Sequence, residues 1–284
     1  MIIDRLYDEV EKKGPVCVGL DSRLAHIPSW IKEKYQDLDE IIFQFNKKII
    51  DATEDLVAIY KPQIAFYEAY GIKGLLAYSR TLEYIRKKQL LSIGDIKRGD
   101  ISSTAVMYGR AHFQGDFEAD FITLNPYMGF DSITPYLKYL DTGKKGIFVL
   151  LRTSNPGAKD IEYLKANNKR IYYHVGDKLE EIGRSYIGSR GYSLIGAVVG
   201  GTYREEAEEI RERYKNMFFL IPGYGAQGAS GGDVNLYLEK GNGGVVNSSR
   251  GIIRSYKNYG DGEKNFQKYT RQAVEEMIKD IRQD

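Results

Sequence analysis

Eight short runs of apolar, largely β-branched residues recur along the chain, each followed by a longer segment of helical period. The runs are VCVGLD (16–21), LVAIYK (56–61), LSIGDIK (91–97), DFITLN (120–125), GIFVLLR (146–152), LIGAVVG (194–200), MFFLIP (217–222) and GGVVNS (243–248). Parallel strands buried on both faces read as continuous hydrophobic stretches, and strands alternating with helices form parallel sheets. Helical candidates between them include IIFQFNKKIIDAT, a single long segment at 64–88, VGDKLEEIGRSYIG and YREEAEEIRERYK. Eight such units in 284 residues predict an α/β chain closed into one (β/α)8 TIM barrel, in preference to an open doubly wound sheet. Length alone suggests two domains, but α/β barrels of about 200–250 residues form one. The expectation is therefore a single domain over 1–284, with an amphipathic N-terminal helix at 1–13 and a C-terminal helix at 263–282 packed on the barrel.

Polarity arrives where the strands end: Asp21, Lys61, Asp95 with Lys97, Asn125, Arg152 to Asn155, Gly200 with Gly201, GYGAQG after the seventh run and NSSRG after the eighth. In a barrel these ends share one mouth, where such folds carry their active sites. Polar residues also simply mark strand ends, but that does not account for Lys61, Asp95 and Lys97 still within hydrophobic runs, where an unpaired charge is costly to bury. The polar segment at 155–170 is either a lid near the mouth or an ordinary surface excursion.

Charge excludes several functions. Lysine and arginine exceed aspartate and glutamate by 41 − 39 = 2, too even a balance for a nucleic-acid surface. A single cysteine, Cys17, forms no internal disulfide, and His26, His112 and His174 lack the spacing of a zinc cluster, so no disulfide staple and no structural metal are expected. No apolar run approaches the roughly 18 residues that span a bilayer. The N-terminus turns acidic too early for a signal peptide. A soluble cytoplasmic enzyme, with no nucleic-acid or membrane partner, is the expectation.

Two constellations carry chemistry. In Gly94-Asp-Ile-Lys-Arg-Gly-Asp100, the period of two puts Asp95 and Lys97 on one side of their strand, with Asp100 just beyond its end. A lysine between two carboxylates is held protonated and aimed, as a proton donor requires; the same pattern also serves as a structural ion pair. The second constellation is Pro222 to Gly228 with Ser248, Ser249, Arg250 and Gly251. GYGAQG matches GxGxxG, but a dinucleotide site needs a helix opening within the glycines of the first unit, and here the loop continues through Ala-Ser-Gly-Gly in the seventh. Loops after strands seven and eight of a barrel often bind phosphate through exposed N–H groups, and Arg250 would add a bidentate charge. A plain glycine-rich turn is the alternative.

Taken together, LDSR around Asp21, YKPQIAFYE from Tyr60, DIKRGDISST from Asp95, LNPYMG from Leu124, TSNPGA from Thr153, PGYGAQG from Pro222 and the late SSRG resemble the orotidine 5′-phosphate decarboxylase family, in its longer bacterial subgroup, from about Val16 to Arg250. The resemblance implies a homodimer of barrels that converts orotidine 5′-monophosphate to uridine 5′-monophosphate and carbon dioxide without metal or organic cofactor. It implies a charged tetrad of Lys61, Asp95, Lys97 and Asp100, with Lys97 protonating C6. It also implies that Asp100 and Thr104 reach the partner's site and that Asp21 and Lys61 bind ribose. Ser154 would read the pyrimidine edge, Gln227 and Arg250 would grip the phosphate, and Pro222 would line the same loop. Ser249 stands where many members carry glycine.

Three other readings compete. A magnesium-dependent sugar-phosphate enzyme of the same barrel group shares DxKxxD but needs a carboxylate where Lys61 stands, and a cation there opposes the metal. A Schiff-base aldolase is disfavoured because a lysine flanked by acids stays protonated. A non-catalytic phosphosugar sensor has no need of four alternating charges.

Overall fold

The computed structural model describes residues 1–225 and 228–282. Its barrel strands are β1 (Val16–Gly19), β2 (Ile59–Lys61), β3 (Ile93–Arg98), β4 (Phe121–Leu124), β5 (Gly146–Arg152), β8 (Ile195–Val199), β9 (Phe219–Pro222) and β10 (Gly244–Ser248). A small hairpin, β6 (Lys165–Ala166) with β7 (Lys169–Arg170), stands apart. The barrel strands are parallel in the order β2-β1-β10-β9-β8-β5-β4-β3. The two ends of that order meet, since bridges join Tyr60 to Ser92 and Gln63 to Asp95. Across that seam the N–H of Tyr60 donates to Leu91 O at 3.0 Å, and that of Asp95 to Pro62 O at 3.1 Å. All eight expected strands are present, most of them shorter by one to three residues at an end: polar Asp21, Asp120 and Asn125 fall outside the ladder, and so do buried apolar residues such as Leu20, Val57, Leu91 and Phe218, which pack in the core all the same.

The core follows from strand composition. Every residue of β1, β2, β4 and β8 is buried, and the surrounding helices turn Leu6, Ile42, Phe45, Leu82, Ile210 and Val274 inward. The N-terminal helix spans Ile2–Lys13. The C-terminal helix runs Phe266–Arg282, starting after the expected residue 263. Glu263 is engaged elsewhere: its carboxylate takes the N–H and hydroxyl of Ser29, and its carbonyl accepts from the Trp30 indole at 2.9 Å.

The single helix expected over 64–88 is two, Ala65–Glu68 and Gly71–Lys87. Ala69 and Tyr70 separate them, and Gly71 opens the second with φ +63, a left-handed conformation that glycine adopts without strain. The short helix Gly231–Asn235 opens beyond GYGAQG, capped by Ser230 and Asp233, and among the described residues of the glycine motif no helix starts.

Candidate active site

The rim of β2, β3 and β4 holds the charged cluster. Lys61 ends β2 and is 4% exposed; Asp95, in β3, is 5% exposed. The Lys61 ammonium donates to Asp95 Oδ2 at 2.7 Å, while that of Lys97 donates to Oδ1 at 2.6 Å. One buried carboxylate thus holds two cations, and each offsets the desolvation of the other charge. Burial pushes the Asp95 pKa up, but the Lys61 and Lys97 charges and hydrogen bonds together outweigh it and hold the carboxyl well below its usual range. Burial pulls Lys61 down, yet Asp95 and Asp21 more than compensate, so the ammonium is strongly favoured. Lys97 differs from Lys61 in being open: its side chain is 44% exposed.

Asp95 and Lys97 do lie on one side, but not by plain alternation. β3 and β4 pair through Gly94↔Ile122 and resume at Arg98↔Leu124, so Asp95, Ile96 and Lys97 stand opposite Thr123 alone. At this bulge Lys97 has φ +46. Asp100 lies in the loop beyond β3 with Oδ1 accepting the N–H of Ile101 at 2.9 Å. The lysine held between two carboxylates is therefore not formed within one chain: among the described residues, the ion-pair partner of Lys97 is Asp95. Thr104 is exposed on the helix Ser102–Phe113.

A cavity of about 920 Å³ opens over this cluster, lined by Lys61, Asp95, Lys97 and Thr123 on one side and by Ser154, Leu220 and Pro222 on another. Ser154 packs on Gly200, where a Cβ would lie 2.8 Å from its backbone and Cβ. Segment 155–170 walls the same cavity through Ala158, Ile161 and Leu164, so it is part of the mouth and not a remote excursion. It is pinned there by Arg152, which is fully buried. The guanidinium reaches Glu206 at 2.8 Å, Glu162 at 3.1 Å and the Tyr163 hydroxyl at 2.8 Å, and lies 3.6 Å from the centre of the Tyr203 ring. The strand-end arginine is thus structural.

A second cavity, of about 330 Å³, shares Pro222 with the first. Asp21, Ser249 and Arg250 line it, together with Arg23, His26 and Arg254. Among the described residues none of these arginines forms an ion pair, which leaves their charges for an anion. Arg23 lies over the Phe66 ring. Ser249 rests against β1 at Gly19, where a Cβ would come 2.7 Å from its own. One Asp21 oxygen and the Ser249 hydroxyl are buried without a partner. Burial first, then Arg254 and Arg23, lowers the His26 pKa to about 4. Gln227 lies outside the described residues.

The sequence reading missed Thr123, Arg23, His26 and Arg254 as site residues. Arg254 had a signal, since it follows Arg250 by four residues, one helical turn. Thr123 had one too: a hydroxyl inside a wholly apolar strand must have partners.

The model of the orotidine 5′-phosphate decarboxylase / HUMPS family matches residues 14–264. The chain belongs to this family. As a member of the orotidine 5′-phosphate decarboxylase family it is a carboxy-lyase. It is 70% identical to the orotidine 5′-phosphate decarboxylase of Petrotoga mobilis over 286 residues, covering 100% of this chain and 99% of that protein. It is 58% identical to that of Clostridium novyi, covering 99% and 98%. The Leishmania donovani OMP decarboxylase structure superposes with TM-score 0.77 at 28% identity, covering 99% of this chain and 98% of that one. Among the described residues of this decarboxylase-family chain, no three His, Cys, Asp or Glu side chains converge as a metal site. No described helix is long and apolar enough to cross a membrane.

Proposed function

We propose that the chain converts orotidine 5′-monophosphate to uridine 5′-monophosphate and carbon dioxide, the closing step of UMP synthesis, with Lys97 as the proton donor to C6. The observation that carries this is the Lys97 ammonium: tied to Asp95 at 2.6 Å, yet 44% exposed toward the cavity. Loss of carbon dioxide leaves an electron pair on a ring carbon with no adjacent sink, so the site must supply the opposing charge. A cation already fixed in place does so without reorganising at the moment of reaction. The C6–carboxylate bond breaks, the pair stays on C6 and takes a proton from Nζ, and Lys97 recovers one from water. Asp95 holds the ammonium, and transition-state stabilisation by that ammonium is ranked above repulsion of the substrate carboxylate.

In this reading the ring lies under Ser154, the ribose meets Asp21 and Lys61, and the phosphate enters the smaller cavity beside Pro222, Ser249 and Arg250, with Gln227 as a further grip. Arg23 and Arg254 add positive charge to the same cavity. Phosphate binding, remote from the bond that breaks, drives closure over the ring. Asp100 and Thr104 complete the site of a second copy in a homodimer. Exposed Ile101, Met107, Tyr127 and Met128 near them support such a contact. A cytoplasmic location belongs to the same reading, and neither metal nor organic cofactor takes part.

The test is the fall in absorbance as orotidine 5′-monophosphate becomes uridine 5′-monophosphate, followed with chelator present and again after borohydride treatment. Wild type is expected to be active in both, and Lys97→Ala to be folded by circular dichroism but inactive. Near-wild-type turnover by Lys97→Ala refutes the donor role; loss with chelator or borohydride favours the magnesium or Schiff-base alternative.

A further inference from the structure

Thr123 stands at the centre of the charged rim. It is fully buried in β4 between Ile122 and Leu124. A hydroxyl offers one proton and two lone pairs, and here three bonds use all of them. It donates to Asp95 Oδ1 at 2.9 Å. It accepts from the backbone N–H groups of Ile96 and Lys97, each at 2.9 Å. These are the N–H groups that the slip between β3 and β4 deprives of ladder partners. A bulge of this kind re-aims a side chain. The re-aimed residue is Lys97, whose φ of +46 is uncommon for a residue with a Cβ and persists only when the surroundings hold it.

We infer that Thr123 is the positioning residue of this site, its hydroxyl standing in for the missing strand partners and locking both the Lys97 backbone and the Asp95 carboxylate. Lys97 is thereby fixed at both ends, its N–H on Thr123 and its Nζ on an Asp95 oxygen that Thr123 also holds. Remove the hydroxyl and two buried N–H groups lose their acceptor while the carboxylate loses a donor. β3 then relaxes toward regular register, and the ammonium moves relative to C6. A misplacement on the order of 1 Å costs about a hundredfold in rate. The phosphate cavity is lined mainly from the ends of β1, β9 and β10, with Phe66 from the helix after β2, and the Thr123 hydroxyl bonds none of its lining residues, so phosphate binding is expected to survive the change.

This inference rests on the donor role of Lys97, so the experiment separates the two. Thr123→Val keeps the shape and deletes the hydroxyl; Thr123→Ser keeps the hydroxyl and deletes the methyl. For Thr123→Val the expected result is a kcat about 10- to 100-fold below wild type, with the Kd of uridine 5′-monophosphate changed by less than about threefold. Thr123→Ser should stay within about threefold of wild type in both. A Val variant with undiminished kcat overturns the inference, as does a Ser variant as slow as Val, or a rise in Kd that matches the loss of kcat. If the Val variant does not fold, Thr123→Ser against Thr123→Ala makes the same comparison, with equal loss in both overturning the hydroxyl's role. Lys97→Ala inactive beside an unimpaired Thr123→Val removes this inference alone; an active Lys97→Ala removes the donor reading together with it.

Discussion

Replacing Asp95 by Asn tests whether one carboxylate neutralises the buried rim. The substitution keeps the side-chain shape and deletes its charge, leaving the Lys61 ammonium, 4% exposed, without the partner now 2.7 Å away. Removing one member of a buried pair costs about 3–5 kcal/mol. An upper bound follows from proton chemistry: Lys61 can shed its charge instead, and deprotonating a lysine of ordinary pKa near 10.4 at pH 7 costs about 4.6 kcal/mol. Asp21 still acts on Lys61 and brings the expected loss to about 3 kcal/mol. Lys97, being 44% exposed, stays solvated and adds little. Deleting the stranded cation as well, in Lys61→Met/Asp95→Asn, should recover most of the loss, because the desolvated charge is what destabilises. Urea unfolding at pH 7 measures both differences, and both variants should be inactive on orotidine 5′-monophosphate. A single-variant loss under about 1 kcal/mol, or a double variant no more stable than Asp95→Asn, would refute the reasoning.

Arg250→Ala is expected to raise KM for orotidine 5′-monophosphate and also to lower kcat, since the phosphate contact drives closure; steady-state kinetics with unchanged kcat/KM would remove Arg250 from the phosphate site. His112 is 3% exposed with Nδ1 unpartnered, and burial, with Arg98 nearby, lowers its pKa to about 4. The unfolded chain takes up a proton below about pH 6.5 that the folded site refuses until about pH 4, so stability falls as pH drops through that window. At pH 4.5 the loss relative to pH 7 is about 2 kcal/mol, and His112→Phe should flatten the decline in Tm between those pH values. His26, lowered in the same direction, leaves a residual slope, and an unchanged decline in the variant would exclude His112 as its source.

The barrel was legible because each parallel strand, covered on both faces, writes its own apolar run, and because the polar residues after eight such runs must gather at one mouth. The charged cluster was legible for a related reason: Lys61, Asp95 and Lys97 interrupt hydrophobic stretches, and charges in that setting need one another. What escaped depended on contacts between distant segments. The break before Gly71 lies inside a pattern whose helical period continues on both sides of it. Glu263 leaves the C-terminal helix for a bond to Ser29 that no local pattern announces. Arg152 read as one more polar residue at the mouth, and only the packing of Glu162, Tyr163 and Glu206 around it shows a pin for the neighbouring segment.

Sequence by itself determined the eightfold alternation, the pairing of acid and base at the second and third strands, and a lone arginine after the last strand's serines. Those properties are local: hydrophobic period, charge and glycine content act within a few residues. Tertiary structure decided which atoms meet. It put three β3 residues opposite Thr123, turned Lys97 into a left-handed conformation, separated Asp100 from the Lys97 of its own chain, and brought Arg23 and Arg254, 231 positions apart in the 284-residue chain, to one cavity. The register of a bulge and the convergence of loops depend on closing the barrel, and closure is a property of all eight strands at once.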